Sequence, residues 1–335
     1  MSSVVRILVP VDFSECSRLA VKVAVGMADR LAATVDVVHV WDVPGHRKGA
    51  SQVVTRDGPR THAQWALAEI GRDVEGLLAG LSAEELSWVH TRIERGKPVP
   101  TIVELSEDYD LLLMGTHGRT GMAHVWLGSV AEKVVQRVRC PVLTTRHPQA
   151  TGVEDDLRKK RGGIERLCHE KARFLVAVDF SDCSRLALKR TIKLADELGA
   201  QVEVLHVVEL PESVVHRGES WSFPNTGASF VRLRARGAEE LAEFVHEFDE
   251  TGQRLLRTVR MGRVHENIIS YAKSGSYDLL ALGTHGRKGW SHIWLGSIAE
   301  QVVRHAPCPV LTVRETRERA RDRDYKETHT SHTAR

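Results

Sequence analysis

Two glycine-rich segments of the chain have the residue types and spacing to hold an anionic ligand. Each contains Gly-x-x-Gly, nine further residues and then Gly-Ser, at Gly115, Gly118, Gly128 and Ser129 and again at Gly283, Gly286, Gly296 and Ser297. Glycines allow backbone N–H groups to line a concave turn, and a helix start adds N–H groups and a dipole that favour phosphate. Gly-x-x-Gly alone is a weak signal, but its interval to Gly-Ser makes the prediction of a phosphate-binding loop specific.

Polar side chains extend this predicted site. Hydrogen-bond donors beside the glycines are His117, Arg119, His285 and Arg287. Asp12 and Asp179 each follow an apolar run, and a carboxylate at that place can accept from an adenine amine or a ribose hydroxyl. Ligands of open parallel sheets bind beyond the carboxyl ends of the strands. We therefore expect the aspartates and the glycine segments to face one crevice if the strands before them are neighbours.

Structural roles stay open for several of these residues. The pairs Ser129 with Glu132 and Ser297 with Glu300 match the capping-box pattern, so each serine is a candidate helix cap as well as a ligand contact. Asp12 and Asp179 are likewise candidates for capping the helix that follows them. Two further histidines, His39 and His206, lie within apolar runs, and we interpret them as packed side chains.

The glycine segments belong to an internal duplication. From Gly115 to Arg146 and from Gly283 to Arg314 the chain is identical at 21 of 32 positions, with an offset of 168. A period of that length is a complete domain, and 335 residues correspond to about two domains. We predict domains at residues 1–147 and 172–314, a charged linker at 148–171 and a disordered charged tail at 315–335.

Each half alternates apolar runs with amphipathic segments. The first strands are predicted at Val4 to Val11 and Arg173 to Val178, and the glycine segments directly follow the fourth strands. This alternation predicts a parallel sheet covered by helices on both faces, in a doubly wound arrangement. The stretches Asp42 to Arg60 and Glu209 to Ser229 are rich in Gly, Pro, Ser and charge, and are predicted as loops.

Composition narrows the function classes. The net charge of +3, from 47 basic and 44 acidic residues, argues against a dedicated nucleic-acid binder. No run approaches the roughly 18 apolar residues that a membrane span needs. Cys140 and Cys308 each precede Pro-Val-Leu, which favours a role as small buried side chains over a role as a redox centre. We therefore expect the protein to be located in the reducing cytoplasm.

These motifs resemble the ATP-binding universal stress protein family. The glycine spacing matches, as do the opening Val-Asp-Phe-Ser, the Tyr-Asp-Leu-Leu strands and the closing Cys-Pro-Val-Leu of each half, so the chain looks like a tandem member. The resemblance covers about residues 1–147 and 172–314. It implies a five-stranded parallel, Rossmann-like sheet of order 3-2-1-4-5 in each half, and an ATP crevice in each.

The resemblance also implies the residues that contact ATP. Adenine recognition maps to Asp12 and Val40, and to Asp179 and Val207. The remaining contacts of the first half are implied at Pro10, Val11, Ser14, Met114, Gly115, Thr116, His117, Gly118, Arg119, Gly128, Ser129 and Val130. Those of the second half are implied at Ala177, Val178, Ser181, Leu282, Gly283, Thr284, His285, Gly286, Arg287, Gly296, Ser297 and Ile298. Ala177 replaces Pro10, and Val264 replaces Pro98, so the pockets are expected to differ in shape while both stay competent.

The resulting functional hypothesis is a nucleotide-dependent stress-response regulator or interaction module with an unknown protein partner. The resemblance implies an intrachain pseudo-dimer of the two halves and leaves open a homodimer and a role for Mg²⁺ or Mn²⁺. The first alternative is slow ATP hydrolysis or phosphoryl transfer, although the paired base and metal carboxylates of that chemistry are not evident. The second alternative is a scaffold that no longer binds nucleotide.

Overall fold

The chain divides into two units, Met1–Glu170 and Lys171–Arg335, each built on one sheet. The computed structural model describes residues 4–42, 52–55, 58–116, 128–145, 167, 171–210, 226–285 and 295–314. The predicted tail and nearly all of the predicted linker lie outside these residues, so the predictions about them stay predictions.

The N-terminal unit contains a five-stranded parallel sheet of order β5-β2-β1-β6-β7. Its strands, with a separate β3–β4 hairpin, are β1 (Arg6–Pro10), β2 (Thr34–Trp41), β3 (Gln52–Thr55), β4 (Gly58–Thr61), β5 (Val89–Arg95), β6 (Leu111–Gly115) and β7 (Val142–Thr145). Its helices are α1 (Glu15–Leu31), α2 (His62–Leu78), α3 (Ala83–Ser87), α4 (Pro98–Leu105) and α5 (Ser129–Arg137). A 3-10 turn follows α4 at Ser106–Asp108.

The C-terminal unit repeats this plan with a sheet of order β10-β9-β8-β11-β12. Its strands are β8 (Arg173–Val178), β9 (Gln201–Glu209), β10 (Leu256–Gly262), β11 (Leu279–Gly283) and β12 (Val310–Val313). Its helices are α6 (Asp182–Leu198), α7 (Thr226–His246), α8 (Val264–Gly275) and α9 (Ser297–His305). Within each unit the order is 3-2-1-4-5, which confirms the predicted doubly wound fold and the adjacency of the first and fourth strands.

The central strands are buried on both faces, as expected for a sheet covered by helices. Ile7, Leu8 and Val9 of β1 are fully buried, and Leu112 and Leu113 of β6 beside them are too. None of the helices among the described residues is long and apolar enough to cross a bilayer.

The predicted loop Asp42 to Arg60 is wrong in part, because an antiparallel hairpin forms between Gln52–Thr55 and Gly58–Thr61. Gly58 and Pro59 made the sequence look irregular, yet Pro59 pairs opposite Val54 in a two-stranded ribbon, where its missing N–H is tolerated. The sequence analysis also missed the short helix α3, which Ser82 and Glu85 start with a reciprocal capping box.

Cysteine burial agrees with the predicted packing role. Cys16 and Cys183 are buried, and Cys140 and Cys308 are partly buried and free of disulfides. Burial raises the pKa of the Cys140 thiol to about 12, so this thiol stays protonated and poorly nucleophilic near neutral pH.

A buried carboxylate organises the amino end of the C-terminal sheet. Glu203 accepts hydrogen bonds from the hydroxyls of Tyr271 at 2.6 Å, Tyr277 at 2.5 Å and Thr258 at 2.9 Å. The Arg173 guanidinium lies 3.4 Å from the same carboxylate. Burial on its own would raise the pKa of Glu203, but these donors and the positive charge outweigh it and lower the pKa. The ionised carboxylate therefore joins β8, β9, β10 and α8.

We expect Glu203→Gln to destabilise the C-terminal unit by about 2 kcal/mol, because the amide cannot accept from all of these donors. Since the folded-state pKa is lowered, the wild-type contribution is present above about pH 4.3 and is lost as the pH falls, and the variant should lose this pH dependence. Urea-dependent hydrogen exchange of β9 amides measures both effects. Glu247→Gln, which removes an exposed partner of Arg185, is the control and should cost under about 0.5 kcal/mol. Equal effects of the two substitutions would contradict the prediction.

Candidate functional site

The turn after the first strand of each unit is held by an aspartate and a serine. The Ser14 hydroxyl and backbone N–H both donate to Asp12 Oδ1, at 2.6 and 3.1 Å. Ser181 makes the same bonds to Asp179, at 2.5 and 3.1 Å. Ser14 and Ser181 are the N-caps of α1 and α6. The alternative in which the aspartates cap these helices is therefore excluded, because each carboxylate instead accepts hydrogen bonds from the capping serine.

An unusual backbone conformation lies between these two side chains. Phe13 and Phe180 have φ angles of 63° and 67°, a region that bulky residues rarely adopt. Their rings pack on His39 and His206, with centroids 4.6 and 4.2 Å apart. The Nδ1 atoms of these histidines lie 2.8 and 2.9 Å from the carbonyl oxygens of Val11 and Val178. Both histidines thus pack as predicted, and His206 also lines the cavity of the C-terminal unit.

The first glycine of each segment is required by close packing. A Cβ atom on Gly115 would lie 2.6 Å from Cys16 Cβ, and one on Gly283 would lie 2.8 Å from Cys183 Cβ. The end of the fourth strand thus lies directly against the start of the first helix. This contact brings the aspartate turn next to the glycine segment in each unit.

Both glycine segments are closed by a backbone hydrogen bond between their ends. Gly128 donates to the Thr116 carbonyl oxygen at 2.6 Å, and Gly296 donates to that of Thr284 at 2.9 Å. A Cβ on Gly296 would lie 3.0 Å from the Thr284 oxygen, so this approach favours glycine. His117, Gly118, Arg119, Gly286 and Arg287 lie outside the described residues, and their predicted roles are untested.

The capping-box interpretation of the two serines is wrong. The N-caps of α5 and α9 are Gly128 and Gly296, which have no side chain, and Ser129 and Ser297 are the first helical residues. Both serines are exposed. Each helix therefore begins after a glycine N-cap that supplies no side-chain cap, and its first N–H groups and positive dipole end lie directly after that glycine.

In the C-terminal unit the predicted residues surround one cavity of about 990 Å³ at the carboxyl ends of the strands. Those that line it are Ala177, Val178, Asp179, Val207, Leu282, Gly283, Thr284, His285, Gly296, Ser297 and Ile298. Ser181 supports the site through Asp179, and its hydroxyl lies 3.4 Å from the His285 carbonyl oxygen. The structure thus brings together the groups that the sequence placed in one crevice.

The equivalent residues of the N-terminal unit occupy the same places in its fold. Pro10 ends β1, Met114 and Gly115 are the last two residues of β6, and Val40 lies near the end of β2. The other described residues of this set lie in the turns that follow those strands or at the start of α5, namely Val11, Asp12, Ser14, Thr116, Gly128, Ser129 and Val130.

Sequence reasoning missed the helix walls of the C-terminal cavity. Leu233, Arg236, Gly237 and Glu240 of α7 and Ile268 of α8 also line it. A glycine inside a predicted helix indicates close packing, so Gly237 could have indicated that α7 lies close to the sheet. Among the described residues, no group of three or more His, Cys, Asp or Glu side chains is arranged to hold a metal ion. The geometry suits binding of an extended ligand with an anionic end at the start of α9.

Comparisons with known proteins agree with this architecture. The family model described as the universal stress protein family matches residues 4–146 and 172–314. A universal stress protein of Mycobacterium tuberculosis is 27% identical over 271 residues, covering 77% of this chain and 81% of the relative. One from Methanocaldococcus jannaschii is 31% identical over 150 residues, covering 43% of this chain and 83% of its own. The crystal structure of a universal stress protein from Archaeoglobus fulgidus has a TM-score of 0.58 at 21% identity, over 93% of this chain and 98% of that one.

We expect Gly115→Ala to destabilise the N-terminal unit by about 1–3 kcal/mol, because the new methyl group overlaps Cys16. Gly71→Ala is the matched control: Gly71 lies inside α2 with no atom within 4 Å of a built Cβ, so alanine should stabilise the helix by up to about 1 kcal/mol. Chemical denaturation measures both variants without any ligand. A neutral Gly115→Ala would show that this glycine is not required for packing.

Proposed function

This chain belongs to the universal stress protein family, and from that premise we propose that each half binds an adenine nucleotide, with ATP as the leading candidate. We further propose that the bound nucleotide changes the surface offered to a protein partner. The observation that carries the proposal is the C-terminal cavity, which joins the Asp179 turn to the uncapped start of α9.

The start of α9 is suited to the phosphates. Gly296 precedes the helix without a side chain, so a phosphate oxygen can approach the first N–H groups closely. Ser297 adds an exposed hydroxyl at the same place. Bound nucleotide would supply the negative charge that complements this helix end, and the protein residues named here only bind and orient it.

The other end of the cavity is suited to the nucleoside. Strand β9 lies two strands from β11, about 10 Å away at the usual strand spacing. There Val207, Val264 and Ile268 provide apolar surface for a base. Asp179, between the two ends, can accept from a ribose hydroxyl or a base amine while it also holds Ser181. The distance between the apolar end and the helix start therefore suits a nucleoside polyphosphate.

Several finer points belong to the same proposal. The N-terminal unit repeats the aspartate turn, the loop-closing hydrogen bond and the glycine N-cap, which supports a second site there. The intrachain pseudo-dimer, a homodimer, a cytoplasmic location and the use of Mg²⁺ or Mn²⁺ remain predictions.

Isothermal titration with ATP tests the proposal through two substitutions that introduce a negative charge at the helix starts. We expect micromolar binding by the wild type, corresponding to about −8 kcal/mol. Ser129→Glu and Ser297→Glu should each remove one site or weaken it at least tenfold, because the carboxylate repels phosphate. Both variants should stay folded, since an acidic residue at a helix start is favourable.

Ala83→Glu places the same charge at the start of α3, away from either proposed site, and should leave binding unchanged. The absence of heat with wild-type protein at tens of micromolar would refute nucleotide binding. Wild-type affinity in both serine variants would instead refute the proposed phosphate positions.

A further inference from the structure

Helices α2 and α7 are equivalent elements with different chemistry. Each lies between the second and third strands of its sheet. The second strands are related by an offset of 167, as Thr34 is to Gln201, and the third strands by 166, because Val89 pairs with Val35 whereas Leu256 pairs with Glu203. At the offset of 167, which also places Val74 of α2 at the position of Leu241 of α7, Ile70 corresponds to Gly237, and both are buried. A large branched side chain in one half is thus replaced by a hydrogen atom in the other.

Gly237 allows α7 to lie directly on the sheet. A Cβ atom built there would lie 2.8 Å from Val208 Cγ2 and 3.4 Å from Val259 Cγ1. Any larger residue requires the Val208 side chain or the helix to shift, because real Cβ atoms do not approach so closely. The main chain of α7 accordingly packs against β9 and β10.

The close approach makes α7 a wall of the proposed nucleotide site. Leu233, Arg236, Gly237 and Glu240 all line the cavity. Arg236 Nε donates to Glu240 Oε1 at 2.9 Å, which leaves most donors of the largely exposed guanidinium available to a ligand.

One of the two charged positions that line the cavity on α7 has the opposite charge on α2. Glu69 stands at the position of Arg236, and Asp73 at that of Glu240. Glu69 is engaged by Arg72 of its own helix. The α7 wall therefore offers a cation to an anionic nucleotide at a position where the α2 wall has a carboxylate.

We propose that Gly237 makes the two nucleotide sites unequal, with the C-terminal site the tighter one because α7 closes over the nucleoside end and presents Arg236 to the ligand. In the N-terminal half, Ile70 keeps α2 from the same approach. This inference rests on the proposed function, since it concerns the affinity of the same sites.

Titrations on single-site backgrounds test the inequality. Ser129→Glu leaves only the C-terminal site, and Ser297→Glu leaves only the N-terminal one. We expect the C-terminal site to bind ATP at least tenfold more tightly. On the Ser129→Glu background, Gly237→Ile should weaken ATP binding at least tenfold, whereas on the Ser297→Glu background it should change nothing.

A second substitution covers the case in which Gly237→Ile does not fold. Arg236→Glu introduces the α2 residue type at an exposed position and should weaken the C-terminal site several-fold, with a smaller effect at high salt. Arg234→Glu is the matched control, because Arg234 is exposed on the same helix and does not line the cavity. The Arg234→Glu variant on the Ser129→Glu background should bind ATP with the same affinity as the Ser129→Glu protein.

The outcomes separate the two ideas. A wild-type chain that binds no ATP refutes the proposed function. A chain that binds ATP at two equal sites overturns the inequality and leaves the proposed function standing. Unchanged C-terminal affinity in a folded Gly237→Ile variant, or equal effects of Arg236→Glu and Arg234→Glu, also overturns the role of α7.

Discussion

The close contact between the end of the fourth strand and the start of the first helix is the constraint on which each candidate site depends. Gly115 against Cys16, and Gly283 against Cys183, leave no room for a side chain. Because the two elements touch, the aspartate turn and the glycine segment face each other across a short gap. The doubly wound sheet supplies the neighbouring strands, and this contact turns that adjacency into a binding crevice.

Much of the fold was predictable because the sheet is buried on both faces. Nearly unbroken apolar runs such as Val4 to Val11 identify buried parallel strands. Because the sequence is duplicated, each element could be predicted twice. The packed histidines were predictable for the same reason, since His39 and His206 lie inside such runs. The β3–β4 hairpin was not, because Gly58 and Pro59 are typical of loops and only pairing with Thr55 and Val54 makes them extended.

Within the candidate site, residue types were easier to predict than residue roles. Ser129 satisfies a capping-box pattern, but the helix starts one residue earlier than that pattern requires, and Gly128 takes the cap position. Asp12 was a candidate both for capping α1 and for contacting a ligand, and its carboxylate accepts a hydrogen bond from the capping Ser14 instead of capping the helix itself. The α7 wall depends on how closely a helix approaches a strand far away in sequence. Gly237 allows that approach, but only the structure shows that it lies against Val208.

In each unit one backbone hydrogen bond joins the two ends of the glycine segment, from Gly128 to Thr116 and from Gly296 to Thr284. The fold of the unit therefore depends little on the residues between those ends. Because the ends of the segment are already joined, the entropic cost of closing the loop is part of the cost of folding the unit. Loop-closure entropy grows only slowly, by about 0.6 kcal/mol for each doubling of length. The intervening residues can therefore change in sequence, and even in number, without displacing the helix start. Selection on ligand preference can act on this segment almost independently of selection on stability.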